Sequence, residues 1–358
     1  MKKLKNMKKT TKVDFATYFG VVIAFVIVFA CQKMGLLSRS ISGMLVPICC
    51  YIVMAVSLNL TVGVLGELSL GHAGFMSVGA FAGVITAMSL QNVIPNNGVR
   101  LLIAIVVGAV FAAVAGLIVG IPVLRLRGDY LAIVTLAFGE IIKDIMNCLV
   151  VGVDQNGLHM ALNISGKVTV DSLGLDPATG VAIIKGAQGA TGTTKIATFT
   201  AGFILVMVTL IVVLNLVRSR AGRAILAIRD NRIAAESVGI NVTNYKMMAF
   251  ATSAALAGAA GALYSMNYSN MAASKFDFNT SILVLVYVVL GGLGRIWGSV
   301  IAAAVLYILP EALREFADYR MLVYAVVLIL VMLITNNKQI KNLLGKIIPK
   351  RKEASVDG

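Results

Sequence analysis

RSRAGRAILAIRDNRIAAESVG, residues Arg218 to Gly239, lies between two apolar runs, Phe199–Val217 and Tyr245–Met266, and differs from both. It carries Arg218, Arg220, Arg223, Arg229 and Arg232 against only Asp230 and Glu236. Alanine, leucine, isoleucine and arginine dominate and no proline interrupts, so the spacing predicts helix. Asp230 or Asn231 is a suitable cap for a second short helix, and Gly239 is its natural stop at the C′ position. A charged helix between two spans cannot lie in lipid; it lies on the membrane surface or beneath it. An ordinary positively charged loop is the plainer reading, but such loops seldom carry a capped, apolar-backed helix of this length.

Composition sets the class around this stretch. Of 358 residues, 59% are hydrophobic and 13% charged, with mean hydropathy +0.91. A soluble domain is about a quarter charged, so the chain reads as an all-α, polytopic integral membrane bundle. The net charge of +15 does not point to nucleic acid. It gathers at the N-terminus, in short loops and at the C-terminus, where orientation in a lipid bilayer accounts for it. Cys31, Cys49, Cys50 and Cys148 sit in or beside apolar runs without metal spacing and read as packing residues.

Ten spans are expected: Phe15–Cys31, Ile41–Val62, Phe75–Leu90, Leu101–Ile121, the run 124–147, Phe199–Val217, Tyr245–Met266, Asn279–Leu290, Ser299–Pro310 and Met321–Thr335. The bulky Phe29 before Cys31 reads as part of an uncleaved first span rather than a signal peptide. Residues 1–13 form a basic N-terminus, 14–335 the membrane domain, and 336–358 a basic tail. Within the domain, 152–198 is a polar outside loop of mixed structure and 218–240 the charged inside helix. With both termini cytoplasmic, 21 of the 31 lysines and arginines fall inside and nine outside, with Lys143 within a span. That bias supports the topology.

Two regions hold polar chemistry at membrane depth. GVLGELSLGHAGFMSVGAFAG (63–83) sets Glu67, Ser69 and His72 among six glycines. Such density permits close helix packing, or a broken helix whose freed polar groups line a cavity. LRLRGDYLAIVTLAFGEIIKDIMN (124–147) places Glu140, Lys143 and Asp144 on one helical face. Charges inside a span are costly unless paired or wetted, so this face is either functional or a self-compensated ion pair holding the bundle. ATSAALAGAAGAL, with Gly258 and Gly261, is a close-packing face.

These strings carry a resemblance. SLGHAGF, LRLRGDYLAIVTL, AIRDNRIAAESVGIN and VVLGGLGRIWG together resemble the permeases of branched-chain amino acid ABC importers, the LivM-type branch, over roughly residues 40–335. Ala234-Ala235 followed by Gly239 resembles the core of the loop with which such permeases dock on their ATPases. The Glu that opens that motif in many relatives is Ile233 here. The loop 152–198 departs too: its GVDQNG keeps only part of the family's T-G-G-x-x-G element.

The resemblance implies a bacterial inner-membrane transport subunit, not an enzyme, that moves leucine, isoleucine and valine. The implied partners are a LivH-like permease, two cytoplasmic ATPases and an extracytoplasmic binding protein. Arg223, Arg229, Ala234, Ala235, Glu236 and Gly239 would carry the coupling contact. Glu67, Ser69, His72, Glu140, Lys143 and Asp144 are the candidates for the translocation path. The chain has no G-x-x-x-x-G-K-[ST] loop, so ATP would be bound by the partner subunits and no cofactor is expected here. Urea or short amides are the sibling specificity. An ion-coupled secondary transporter using Glu140, Lys143 and Asp144 is the competing class, and a membrane scaffold a third.

Overall fold

In a computed structural model, residues 9–35, 38–91, 93–126, 128–154, 157–163, 180–312, 326 and 329 are described. The helices are α1 (Lys9–Lys33), α2 (Arg39–Asn59), α3 (His72–Ser89), α4 (Asn97–Val123), α5 (Asp129–Cys148), α6 (Phe199–Arg218), α7 (Arg220–Asp230), α8 (Arg232–Ser237), α9 (Val242–Ser265), α10 (Phe278–Gly291) and α11 (Ile296–Ala312). Each expected span as far as Ser299–Pro310 overlaps one of these helices; Met321–Thr335 and the basic tail lie outside the described residues, Val326 and Ile329 excepted.

Short polar side chains set the helix starts. Asn96, Thr198, Ser219, Asn231, Asn241 and Asp277 each accept a hydrogen bond from an amide in the first turn of the adjoining helix. That satisfies donors which the helix itself leaves unpaired.

Five segments are long and apolar enough to cross a membrane: Ser40–Leu65, which runs from α2 into the turn after it, α3, α4, α6 and α9. Shorter apolar helices cover Thr17–Lys33, Phe278–Gly291 and Ile296–Glu311. Burial separates the five into a centre and a rim. Ser40–Leu65, α3 and α9 are 78%, 67% and 72% buried, against 28% for α4 and 39% for α6. The outer face of α4 displays Leu102, Val106, Val110, Phe111, Val114 and Ile118, as a lipid-facing helix must.

The centre is held together by small residues. A Cβ added at Gly79 would lie 2.1 Å from the Gly258 carbonyl oxygen; one at Gly258 would lie 2.2 Å from Ala112 Cβ and 2.6 Å from the Gly108 carbonyl oxygen. Backbones of α3, α4 and α9 therefore touch directly, giving the dispersion contacts that association in lipid depends on. This is the packing face expected of ATSAALAGAAGAL.

The all-α reading needs one amendment. The polar loop and the turn after α9 build a five-stranded antiparallel sheet in the order β2-β1-β3-β4-β5. Its strands are β1 (Leu149–Asp154), β2 (Gly157–Leu162), β3 (Val181–Lys185), β4 (Ala190–Thr191) and β5 (Asn270–Met271). α6 leads from the sheet to α7, and α9 leads from α8 back to the sheet. The sheet and the charged helices therefore mark the two ends of the bundle. By contact density the chain divides after Ala304. Beyond it, the described residues are Val305–Ala312, the end of α11, together with helical Val326 and Ile329.

Candidate functional site

The stretch Arg218–Gly239 forms a tight corner and two short helices. Ser219 turns the chain, its hydroxyl donating to the Leu216 carbonyl at 2.7 Å while accepting from the Gly222 amide at 3.1 Å. α7 is amphipathic: Gly222, Ile225 and Ile228 are buried, Arg220 and Arg223 lie on the opposite, more open side, and Arg229 reaches from the buried side towards the bundle. Asn231, the second of the two expected caps, starts α8 by accepting from the Ala234 amide at 3.1 Å. Ala235 is buried with Ile228 and Val242, whereas Ala234 is exposed. Arg232 and Glu236 form a surface pair one turn apart, at 2.9 Å. Gly239 ends the element at φ 83°, with nothing within 4 Å of where a Cβ would stand. Ile233 is 80% exposed, and Val238 75%. Arg223 donates to the Arg218 carbonyl at 3.2 Å.

The glycine-rich stretch is a broken helix. α2 ends in a wide π-type turn, Leu60–Leu65, which stops at Gly66 in the left-handed conformation. Residues 66–71 are then non-helical until α3 begins at His72. The segment runs from the charged-helix end into the bundle: Gly66 lies against the Arg229 side chain, and Gly71 against Thr135 and Gly139, midway along α5. Non-helical backbone at this depth needs partners from neighbouring helices. The Leu70 amide donates to Thr135 Oγ1 at 3.1 Å, and the Ala73 amide to Ser281 Oγ at 3.1 Å. Hydroxyls from α5 and α10 thus replace the side-chain cap that Gly71 cannot supply.

His72 is buried, with Nε2 2.8 Å from Ser57 Oγ. The same hydroxyl lies 2.9 Å from the Met54 carbonyl, so His72, Ser57 and the α2 backbone form one hydrogen-bonded group. Ser69 is 1% exposed, and its hydroxyl has no hydrogen-bond partner among the described residues. It is packed among its neighbours. A Phe at this position must displace its neighbours before it blocks anything. Gly66 and Leu68 form the accessible edge of the segment.

Glu67 pairs with Lys246, whose side chain is 5% exposed. Counting charges by loop assigns Lys246 to topology and misses this contact; a lone lysine four residues inside a capped helix is the available signal. A cleft of about 370 Å³ separates Leu65, Glu67 and Lys246 from Ile228, Arg229, Arg232, Ile233 and Glu236. Arg229 spans it: Nη1 donates to the Gly63 carbonyl at 3.1 Å, while Nε and Nη2 hold Asp230 Oδ1 at 3.1 and 2.9 Å.

The second polar face divides. Lys143 pairs with Glu140, whose other oxygen accepts from the Phe278 amide at 2.9 Å. Asp144 lies 4.0 Å from Lys143 and its side chain is 71% exposed. Glu140 and Lys143 therefore tie α5 to the start of α10, and Asp144 is not a buried charge. Gly139, the residue before Glu140, packs on Gly71. The two candidate regions share α5 but point different ways. Among the described residues no three His, Cys, Asp or Glu side chains are grouped to hold a metal ion.

Long apolar helices around a broken central helix, with an amphipathic helix pair bound to the break, define a polytopic membrane protein of the transport-permease class. The chain belongs to the family described as branched-chain amino acid transport system / permease component, whose model matches residues 40–334. It is 34% identical to the high-affinity branched-chain amino acid transport system permease protein LivM of Salmonella typhimurium over 291 residues, 79% of this chain and 66% of the relative. The Escherichia coli LivM protein matches at the same 34% identity over 290 residues. The chain thus spans just under two thirds of the length of these relatives. The Escherichia coli ribose import permease protein RbsC is 32% identical over 129 residues, 34% of this chain and 40% of that protein. No solved structure matches the chain.

Proposed function

We propose that the chain is a membrane-spanning subunit of an ATP-driven bacterial importer for leucine, isoleucine and valine. The observation that carries this reading is the seat of α7 and α8. Their buried face rests on the bundle, Arg229 grips the broken segment, and Ile233 and Val238 are presented outward. An apolar pair on a charged, amphipathic element is a surface made for a protein partner. In this reading the partner is one of two cytoplasmic ATPases, which bind the ATP.

A LivH-like permease completes the membrane unit, and an extracytoplasmic binding protein delivers substrate to the end that carries the sheet. The chain adopts the ten-span topology with both termini cytoplasmic. Zwitterionic amino acids then pass along the accessible edge of residues 66–71, at the boundary with the second permease. A weakly polar passage suffices, because the binding protein supplies selectivity. In this reading Glu140 and Lys143 hold α5 against α10 rather than touching substrate, and their pairing supports an ATP-driven importer over a secondary transporter that would use that face.

The test is uptake of labelled leucine, isoleucine and valine into proteoliposomes holding the complex purified through a tag on this chain. Uptake should require ATP on the α7–α8 side and binding protein on the other. Uptake driven by an ion gradient without ATP overturns the reading in favour of a secondary transporter. Transport of urea alone moves it to the sibling specificity.

A further inference from the structure

One side chain from α7 contacts the wide turn Leu60–Leu65 at a carbonyl that an α-helical turn would use. The Thr61 carbonyl accepts from the amides of both Gly66 and Glu67, the latter at 3.1 Å. An α-helical turn would instead bring the Gly63 carbonyl to the amide of residue 67. Here that carbonyl is taken by Arg229. The turn is gripped from the other side as well. Asn59 Oδ1 accepts from the Gly294 amide at 2.8 Å, and Asn59 Nδ2 donates to Ser299 Oγ at 2.9 Å. A Cβ on Gly63 would stand 2.2 Å from the Gly294 nitrogen, so the turn fills the space between α7 and the α10–α11 connection.

We propose that Arg229 is a positioning residue that acts as a clamp on this turn. While its guanidinium holds the Gly63 carbonyl, the turn stays wide; when α7 shifts, the turn rewinds by one residue and carries 66–71 with it. A wide turn is a common mark of functional sites in helices. Rewinding by one residue rotates the downstream backbone by about 100°, a discrete change that a packed bundle transmits as a switch. Asp230 makes the clamp directional, since two of the guanidinium N–H groups hold its carboxylate and a third aims at Gly63. This rests on the importer reading and deepens it: Arg229 faces inward to the turn, while Ile233 and Val238 face the ATPase.

Hydrogen–deuterium exchange on the complete importer in nanodiscs, with and without ATP, tests the clamp. In the wild type, ATP should alter exchange at 220–239 and at 60–71 together. In Arg229→Met the change at 220–239 should persist while that at 60–71 falls to about a third or less. Uptake should drop about tenfold in that variant. Arg229→Lys should recover part of the 60–71 response, because its ammonium still donates to Gly63. A full 60–71 response in Arg229→Met overturns the clamp. If that variant does not assemble, Asp230→Asn, which loosens the guanidinium without removing it, must shrink the 60–71 response; an unchanged response there overturns the clamp too. Absence of any ATP effect at 220–239 in the wild type overturns the importer reading itself.

Discussion

Lys246 on α9 reaches the Glu67 carboxylate across 179 residues of chain, closing the charged-helix end of the broken segment with an ion pair that is nearly withdrawn from solvent. Removing one member of such a pair strands the other. Lys246→Met should therefore destabilise the protein by about 3 kcal/mol. Lys246→Met with Glu67→Leu should recover much of that loss. Thermal unfolding in detergent measures both, and a double variant no better than the single would show that the pair is not the cause.

Gly239 tests the end of α8 by itself. Its φ of 83° and the empty space around it mean that a side chain meets backbone strain and nothing else. Gly239→Val should cost about 1 kcal/mol or more locally, tilt the outward face of α8, and abolish substrate-stimulated ATP hydrolysis in an inserted permease. Gly239→Asn tolerates this conformation better and should retain most of it. Equal hydrolysis in the two variants would count against the helix as a docking element.

The contact of Gly79 with Gly258 has no slack. Gly79→Val should prevent a folded bundle from accumulating, with a cost of about 3 kcal/mol or more, because the neighbour in the way is backbone. Size-exclusion profiles of the detergent-solubilised protein would show it. Gly35→Ala, at a site with open space around it, serves as the tolerated comparison despite its positive φ.

Asp277 caps α10, accepting from the Thr280 amide at 2.9 Å beside the Glu140–Lys143 pair. Partial burial pushes its carboxyl up, but the Thr280 and Asn279 hydrogen bonds and the Lys143 charge together hold it below its ordinary 3.8. A carboxylate lowered on folding stabilises the protein above its unfolded value, and that contribution fades as pH falls through and below about 3.8. Asp277→Asn keeps an acceptor but loses the charge. Its stability should therefore depend less on pH below about 5 than that of the wild type. Identical acid limbs would show that Asp277 contributes nothing at low pH.

Single cysteines settle the topology. In a background without Cys31 and Cys148, label at Ser237 should enter only from the cytoplasm, and label at Leu158 on β2 only from outside; both positions are exposed. Ala178, the natural choice in the middle of the loop, lies outside the described residues. Entry at both sites from one side would overturn the ten-span arrangement.

Local grammar is legible in the sequence, and distant pairing is not. Asn231 and Gly239 announce the second short helix because caps and stops act within four residues. The small residues of α9 announce a packing face because 3.6-residue periodicity suffices. Arg229 to Gly63 and Lys246 to Glu67 join residues more than 160 positions apart. No spacing rule connects those, and each lysine or arginine reads equally well as a topological charge. Glu140, Lys143 and Asp144 are legible as one face, but which of them is enclosed depends on where α10 starts. The sheet is illegible for a similar reason: its last strand is two residues long and lies beyond α9.

That two-residue strand has a consequence for how the protein is made. β5 completes the sheet by pairing Asn270 with Thr191 and Met271 with Ala190, yet α6 to α9 are synthesised between those partners. The sheet cannot close until the chain has run through α6, turned at the charged corner and returned through α9. Its seam is thus a record of completed insertion. A molecule in which α9 had failed to enter would display the open edge of β4, a strand edge that quality control and stray β-segments alike can recognise.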